Sequence, residues 1–556
     1  MSGRPKLRIG LLQDGVNSNR YMRDLVTWAA QQDDLEISHL IVHGAPNDTG
    51  GSKWRRKLAQ HKLGAFRKAA LKTIRWLEQQ FLKVYYGGRF RDHIRQSRID
   101  DLIPNTLAIQ PMISKSGFVY RFTPEDVAKV RATGCDVLIR GGAGILRGGI
   151  LDVAPFGVLS FHHGDNRVNR GGPAGFWESY LGWPATGFVL QRLTAELDGG
   201  DVLVRGSYPT KWFFLLNQAA LFHKSNVHLK DLLKLVARER KLPPAEDPVP
   251  YSTRLFRTPS LGNCLHYISR VAGRAIQKGF QSVFRYRYRW SVSFVFSEWR
   301  TAVLWRVRTP VPPTGRFLAD PFVWQHEGKT FCLAEDYFFG ERIGRISAME
   351  IDKQKSSQPE VVLAEPFHLS FPYLFEFEGA VYMCPECSGS GQIRLYRSTA
   401  FPRKWEFVKA IMNDVSAADT MLFERDGRWW MLTNIDRTRQ GDFASELYLF
   451  SAASPLSESW VPHPANPLKI DPAGGRNAGL LRDGNRLFRA GQVQGFDQYG
   501  AGVRLFEITA LSPQEYQEQM VAEIQPGFRE RLEGTHHIAS RNGVTVVDSA
   551  RREFVW

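Results

Sequence analysis

The carboxyl-terminal half of the chain is built from a repeated pattern, which limits the fold more than any other feature of the sequence. Each copy has an apolar stretch, a polar turn with glycine and a second apolar stretch, as in Asp419–Trp430. The turn glycines lie 48 to 59 residues apart, at Gly328, Gly379, Gly427, Gly484 and Gly543. Such a unit is typical of a β-hairpin, and this period allows four strands per repeat. The sequence therefore predicts an all-β five-bladed propeller over residues 290–556.

The amino-terminal half follows a different pattern, in which short apolar strands alternate with helical segments. Leu7–Leu12 and Ile37–Val42 have the length of strands, and the helical spacing of Tyr21–Ala30 lies between them. Asp136–Ile139 and Gly157–Phe161 are further buried strands. This alternation predicts a Rossmann-like α/β domain with a mainly parallel sheet. We place it at residues 1–241, with a basic helical insertion at about 53–98.

Two further segments complete the predicted organisation. Residues 242–260 are rich in proline and polar groups, and Gly262–Tyr286 has the spacing of a basic amphipathic helix, so 242–289 is interpreted as a linker followed by that helix. In the insertion, Ile74, Leu77, Phe81, Leu82 and Tyr85 form an apolar stripe that favours burial over membrane contact. Thr123–Asp126 has the residues of a helix start, with threonine as the N-cap and proline next.

The charge of the chain restricts its partners. The formal net charge is +17 and is concentrated in the 53–98 and 270–308 segments. Solvated helix faces, peripheral contact with an anionic membrane or binding of a sugar-linked phosphate would each explain it. No nucleic-acid-binding motif accompanies the charge, so we expect no nucleic acid partner.

No apolar run is long enough to span a bilayer, which predicts a cytoplasmic protein, either free or peripheral to the inner membrane face. The oligomeric state is left open.

The glycines and cysteines argue against two common cofactors. Gly142 and Gly144 begin a dinucleotide fingerprint, but Arg147 stands where the third glycine belongs, which disfavours NAD. Cys384 and Cys387 form a C-x-x-C pair without a second pair or a histidine cluster, so no metal site is predicted.

Residues with the potential for chemistry concentrate after the strand Gly157–Phe161. This strand runs into His162, an Arg170–Pro173 loop follows, and Leu197–Leu203 contains Asp198. The order and spacing resemble the formyltransferase family, which includes methionyl-tRNA, glycinamide ribonucleotide and sugar-amine formyltransferases. His162 matches the catalytic histidine of that family and Asp198 its catalytic aspartate, 36 residues further on.

The resemblance implies transfer of a formyl group from 10-formyltetrahydrofolate to an amine. His162 would stabilise the oxyanion or protonate the leaving nitrogen, and Asp198 would orient it and accept the proton of the amine. Ser160 stands where the family has an asparagine that binds the oxyanion, which weakens this donor or removes it. His163 and Asp165 are expected to contact the substrate. The resemblance further implies a donor-binding loop of four residues, Gly142, Gly144, Ile145 and Leu146.

The propeller segment is similar to the amino-terminal domain of glucosamine inositolphosphorylceramide transferases. Phe367–Tyr373, Leu395–Ser398 and Asp419–Trp430 carry this likeness. That family is distantly similar to five-bladed glycosidases, whose carboxylates lie in the central channel. Four residues near the starts of repeats, where the side chains of a propeller face the central channel, are expected to line a carbohydrate-binding channel: Asp320, Glu386, Asp419 and Arg476. Hydrolysis, glycosyl transfer or a purely structural role are the alternatives.

Two functions of different classes follow from these observations. The first is an enzyme that formylates an amino sugar, nucleotide-linked or lipid-linked, in the synthesis of a surface glycan or secondary metabolite, with the propeller holding carbohydrate. The second is an inactive formyltransferase-like scaffold that carries a glycan-binding or glycan-processing propeller. Formylation of methionyl-tRNA would leave the propeller without a use.

Overall fold

The computed structural model describes residues 5–43, 62–85, 90, 92–115, 118–142, 144–196 and 199–555. The chain forms two compact units, residues 1–272 and 273–556. Asp198 and a large part of the predicted 53–98 insertion lie outside the described residues.

The first unit is organised around a seven-stranded sheet. Its strands in chain order are β1 (Leu7–Gln13), β2 (Leu35–His43), β3 (Asn105–Ile109), β4 (Val137–Arg140), β5 (Val158–His162), β6 (Ala185–Arg192) and β7 (Asp201–Pro209). Their spatial order is β7-β6-β5-β4-β1-β2-β3. The five strands from β5 to β3 are parallel, whereas β6 and β7 are antiparallel additions at one edge. The predicted Rossmann-like sheet is thus confirmed.

Helices cover the sheet on both faces, which explains the apolar strands. The helices are α1 (Arg20–Ala29), α2 (Lys62–Tyr85), α3 (Pro124–Ala132), α4 (Phe176–Leu181), α5 (Phe214–Glu239) and α6 (Leu261–Val283), the last of which continues into the second unit. Short strands lie at Asn17–Asn19, Gln96–Arg98, Met112–Ile113, Val119–Arg121 and Ile145–Leu146. α1 and α5 pack on one face, and α3 packs on the other. Thr123 caps α3 by accepting a hydrogen bond from the Asp126 amide at 3.2 Å.

The topology of the sheet identifies the edge at which ligands bind. The order of the strands reverses between β1 and β4, and open α/β sheets bind ligands beyond the carboxyl ends of the strands at this point. Gln13, Arg140 and His162 are the last residues of β1, β4 and β5. The predicted catalytic histidine therefore lies at the edge where the fold forms sites.

The second unit consists of five small antiparallel sheets, here called blades A to E. Blade A contains Arg316–His326, Lys329–Phe338, Ile343–Ile351 and Glu360–Leu363, and blade B contains Ser370–Phe377, Ala380–Glu386, Gln392–Ala400 and Lys404–Asn413. Blade C contains Ala417–Arg425, Arg428–Ile435, Glu446–Ala452, Val461–Pro462 and Lys469–Ile470, and blade D contains Ala473–Asp483, Arg486–Gly495, Gln498–Leu511 and Tyr516–Ile524. Blade E contains Ile538–Arg541, Val544–Phe554 and Tyr286–Val295.

Blade E closes the propeller, because it joins the two ends of the unit. Tyr286–Val295 pairs along its whole length with Val544–Phe554. The innermost strands of the five blades contact one another in a closed ring from A to E and back to A. The prediction of a five-bladed propeller is therefore confirmed.

The same irregularity occurs in the inner strands of blades A, B and C. Each strand has a bulge at which one residue takes a left-handed conformation: Asp320 (φ 49°), Phe371 (φ 46°) and Asp419 (φ 48°). Such a conformation is costly for residues other than glycine and often marks a functional site. Two of the three carry carboxylates that the sequence analysis had placed in the channel.

Candidate functional site

The loop after β5 holds His162 through its backbone. His162 Nε2 lies 2.7 Å from the carbonyl oxygen of Asn169, and this oxygen can only accept, so Nε2 donates. The side chain of Asn169 is buried, accepts from the Gly171 amide and donates to Glu178 Oε1 at 2.9 Å. The contact fixes both the tautomer and the orientation of the ring in its neutral form.

Glu178 anchors this loop from the first turns of α4. Burial raises the pKa of Glu178, although the hydrogen bond from Asn169 opposes the shift. Glu178 therefore supports the loop through Asn169 rather than contacting a ligand. Glu178 belongs to the predicted motif without an assigned role, and Asn169 was not predicted, because nothing in the motif distinguishes a supporting side chain from a reactive one.

The other two predicted catalytic residues are Ser160 and Asp198. Ser160 is buried in β5, and its hydroxyl donates to the carbonyl of Phe161 at 3.2 Å. Asp198 lies outside the described residues. The segments on either side of it, 194–196 and 199–202, line a cavity of about 620 Å³ together with Asn166 and Arg170.

His163 and Asp165 are held by neighbouring side chains of the same unit. The His163 ring lies between Phe161 and Phe222, with centroid distances of 4.9 Å and 3.9 Å. Burial lowers the pKa of His163 to about 3, so the ring is neutral. Asp165 forms an ion pair with Arg205 of β7 and accepts a hydrogen bond from the Arg167 amide. Both residues stabilise the loop that carries His162.

The predicted donor loop packs tightly against β1. A Cβ atom on Gly142 would lie 2.6 Å from Asp14 Oδ1, so no larger residue fits there without a shift. Gly144 has a φ of +85° and lies against the ring of Tyr120. Ile145 and Leu146 form a short strand that pairs with Val119 and Tyr120, with Leu146 buried.

Three polar side chains that the sequence analysis missed lie at the same edge of the sheet. Gln13, His43 and Arg140 end β1, β2 and β4. Gln13 Nε2, His43 Nε2 and Arg140 Nε are buried without a hydrogen-bond partner among the described residues, whereas His43 Nδ1 lies 3.6 Å from Asp14 Oδ1. Unsatisfied buried donors are costly. Their clustering therefore indicates a place for the acceptor atoms of a ligand.

The channel of the propeller brings Glu386, Asp419 and Arg476 into direct contact. Arg476 Nε donates to Asp419 Oδ2 at 2.5 Å, and its terminal nitrogen reaches Glu386 Oε2 at 3.1 Å. Burial raises the pKa of Asp419 to about 8, with Arg476 opposing the shift and Glu386 adding to it. Burial alone would lower the pKa of Arg476, but the two carboxylates raise it above its ordinary value. The Arg476 guanidinium thus donates hydrogen bonds to the carboxyl groups of both Asp419 and Glu386.

Asp320 belongs to a second group in the channel, which the sequence analysis did not foresee. His536 lies between two carboxylates, with Nε2 3.1 Å from Asp320 and Nδ1 2.9 Å from Asp548. Burial opposes protonation of the ring, but the charges of Asp548 and Asp320 prevail and raise the pKa of His536 to about 10. Burial likewise opposes ionisation of Asp320, but His536 lowers the pKa of Asp320 to about 2.

This geometry also bears on metal binding. The ligand atoms of Asp320, His536 and Asp548 lie within 4.8 Å of one another, as in a metal site. A histidine protonated on both nitrogens has no lone pair to offer a cation. With His536 protonated, the three residues form an ion-paired triad.

Two further channel residues complete the cluster. His368 Nε2 lies 3.3 Å from Glu335 Oε1, and Glu335 is buried. Burial and the charge of Asp320 raise the pKa of Glu335 well above its usual range. Glu335 lies on the second strand of blade A, in a run of apolar and acidic residues that gives no sequence signal.

The chain is similar to known proteins in both of its units. Residues 308–540 match the family model described as glucosamine inositolphosphorylceramide transferase 1, N-terminal. The protein of that name from Arabidopsis thaliana is 35% identical over 209 residues, which cover 36% of this chain and 27% of the relative. The one from Oryza sativa subsp. japonica is 33% identical over 276 residues, which cover 44% and 36%. The chain thus spans about a quarter to a third of the length of these relatives.

Solved structures match the two units separately. Glycinamide ribonucleotide transformylase 1 from Symbiobacterium toebii has a TM-score of 0.28 and 15% identity, over 42% of this chain and 89% of that one. The catalytic domain of the Coprinopsis cinerea GH62 alpha-L-arabinofuranosidase has a TM-score of 0.33 and 12% identity, over 47% and 97%. The amino-terminal region resembles the former and the propeller the latter.

Proposed function

We propose that the protein transfers a formyl group from 10-formyltetrahydrofolate to the amine of an amino sugar, and that the propeller binds carbohydrate. The observation that carries this proposal is the position of His162 at the carboxyl end of β5, held by the Asn169 carbonyl. The motif around it resembles that of the formyltransferase family, including the spacing of 36 residues to Asp198.

The residues of this chain suit the individual steps. The amine attacks the formyl carbon, the former carbonyl oxygen becomes an oxyanion, and the bond from carbon to N10 of the folate then breaks. Protonated His162 has a second N–H on Nδ1, which can stabilise the oxyanion or give its proton to N10. Asp198 would accept the proton that the attacking amine loses. The products are the formamide and tetrahydrofolate.

The donor molecule has groups that would satisfy the edge of the sheet. 10-Formyltetrahydrofolate supplies the formyl group when bound, and its pterin and carbonyl atoms include several hydrogen-bond acceptors. Gln13 and Arg140 offer buried N–H groups that lack acceptors. The close packing of Gly142 on Asp14 would let the donor loop lie flat against β1.

A second candidate function rests on Ser160. Its hydroxyl is engaged by the Phe161 carbonyl, so it is a poor substitute for the amide of an asparagine. An inactive formyltransferase-like scaffold with a glycan-binding or glycan-processing propeller would tolerate this substitution. In that case Glu335, whose pKa is raised by burial, and the carboxyl groups around Arg476 would be the centre of function.

A turnover assay separates the two candidates. The full chain is incubated with 10-formyltetrahydrofolate and a panel of nucleotide-linked amino sugars, and release of tetrahydrofolate is followed by absorbance. Wild-type turnover that His162→Ala abolishes supports formyl transfer. His326→Ala is the matched control, because His326 is solvent-accessible in the propeller unit. Absence of both turnover and folate binding in the wild type would contradict the proposal and favour the scaffold.

A further inference from the structure

Helix α2 has an exposed apolar face. Phe66, Leu77 and Val84 recur at helical spacing on one side of the helix, and Trp76 lies beside them. Their side chains are 67%, 50%, 76% and 59% exposed in the order Phe66, Leu77, Val84, Trp76. The sequence analysis assigned Leu77 to a buried stripe with Ile74 and Leu82. Ile74 and Leu82 are buried, whereas Leu77 faces solvent.

Helix α6 has an exposed face of the same kind. In the part of α6 that belongs to the first unit, the exposed apolar residues follow intervals of four and three, at Leu261, Leu265 and Ile268. Such intervals place all three side chains on one side of a helix. The opposite side carries Cys264 and Tyr267, which are buried.

The inner sides of the two helices share one core. Ile74 of α2 packs in the same apolar cluster as Cys264 and Tyr267 of α6. The Tyr267 hydroxyl also donates to the buried Glu78 of α2. The helices therefore lie next to each other, and each directs its other side outward. Together, the exposed residues of α2 and of α6 named above are called the α2/α6 face.

The charge around this face is positive. α2 contributes exposed Lys68, Lys72 and Lys83, and its one acidic residue is the buried Glu78. In the part of α6 that belongs to the first unit there is no acidic residue, and its one arginine, Arg270, donates to the carbonyl of Tyr180. Contiguous exposed apolar surface of this extent marks an interaction site, and the lysines at its edge define the charge of the partner.

We propose that the α2/α6 face lies on an anionic lipid bilayer, with both helices in the plane of the interface. The apolar side chains would enter the boundary between head groups and acyl chains, and the lysines would contact lipid phosphates. Among the described residues, no helix is long and apolar enough to cross a membrane. Pairing of this face with a second copy is disfavoured. In a two-fold symmetric dimer the lysines of one copy would lie opposite the lysines of the other, without an acidic residue between them.

Vesicle co-sedimentation of the full chain tests this proposal independently of any transfer activity. Vesicles with about 30% phosphatidylglycerol should bind the wild type at least about tenfold more tightly than pure phosphatidylcholine, and added salt should weaken this binding. The double variant Leu77→Gln, Leu265→Gln should bind anionic vesicles at least about tenfold more weakly. Lys68→Glu, Lys72→Glu should lose the preference for anionic lipid. Trp305→Gln, Val311→Gln is the matched control, because both residues are exposed apolar side chains outside the two helices.

Two results would overturn the proposal. One is wild-type binding to anionic vesicles no stronger than to neutral ones. The other is a dimer in light scattering that Leu77→Gln, Leu265→Gln converts to a monomer without any change in vesicle binding. Circular dichroism of each variant ensures that loss of binding does not reflect loss of fold.

Discussion

The two candidate centres differ in how their buried polar groups are paired. In the first unit, Gln13 and Arg140 leave buried nitrogens without a hydrogen-bond partner among the described residues, at the edge of the sheet where β5 ends in His162. In the propeller channel, the ionisable groups contact one another, with Arg476 between Asp419 and Glu386 and His536 between Asp320 and Asp548, although both ring nitrogens of His537 also lack a hydrogen bond. The first arrangement is suited to receive the polar atoms of a ligand. In the second, a ligand must compete with the existing contacts.

The largest effect is expected at His162. His162→Ala should lower the rate of formyl transfer by about 10²–10⁴-fold, because general acid–base catalysis contributes that much. Asp320→Asn should leave the affinity for folate unchanged, because Asp320 belongs to the other unit. Steady-state kinetics with a small amino-sugar acceptor measures the first effect, and titration with folate measures the second. If the rate of His162→Ala were within a factor of three of the wild-type rate, His162 would not take part in formyl transfer.

The next effect concerns the stability of the channel. Arg476→Ala would leave the buried Asp419 and Glu386 without their shared cation, and removing one partner from a buried pair typically costs about 3–5 kcal/mol. Urea unfolding of the full chain measures this loss. Arg504→Ala is the control, because its pair with Glu523 is partly exposed. A loss below about 1 kcal/mol would show that the ion pairs are not what holds the channel together.

A pH-dependent effect should distinguish the channel further. The pKa of His536 is raised from 6.5 to about 10, so its stabilising contribution is complete below pH 6.5 and is lost as the pH rises through 10. His536→Gln should remove this alkaline decline in stability. Thermal unfolding of both proteins between these two pH values tests the expectation. An equally steep decline of stability with pH in the variant would show that other groups cause it.

The smallest effect is expected at Ser160. Ser160→Asn restores the residue that the formyltransferase family has, and we expect turnover to increase by up to about tenfold, a fraction of the usual value of an oxyanion donor. Ser160→Ala should change turnover less than this, because the hydroxyl is engaged by the Phe161 carbonyl. Unchanged turnover in both variants would show that another group supplies the donor.

Local signals predicted much of the fold. Each of the five hairpin glycines has a left-handed φ, from 56° at Gly484 to 76° at Gly543, as tight turns require. The capping of α3 by Thr123 was also predicted, because capping depends on residues within one turn. Features that depend only on neighbouring residues could therefore be derived from the sequence.

Long-range contacts could not be predicted in the same way. Asp548 lies 228 residues from Asp320, and nothing in either segment indicates that His536 joins them. Tyr286–Val295 completes the last blade only because it pairs with Val544–Phe554. The candidate carboxylates of the channel could be predicted from their positions near the starts of the repeats, whereas their histidine partners reach them only when the ring of blades closes.

Calorimetric titration of the full chain with 5-formyltetrahydrofolate, a stable analogue of the donor, tests the central claim most directly. The account predicts binding at one site per chain, with weaker binding by Arg140→Ala, which removes an unsatisfied donor at the edge of the sheet. The double variant His162→Ala, Asp198→Ala should bind but fail in turnover. No binding of the wild type at millimolar ligand would contradict the account and direct the search for function to the propeller channel.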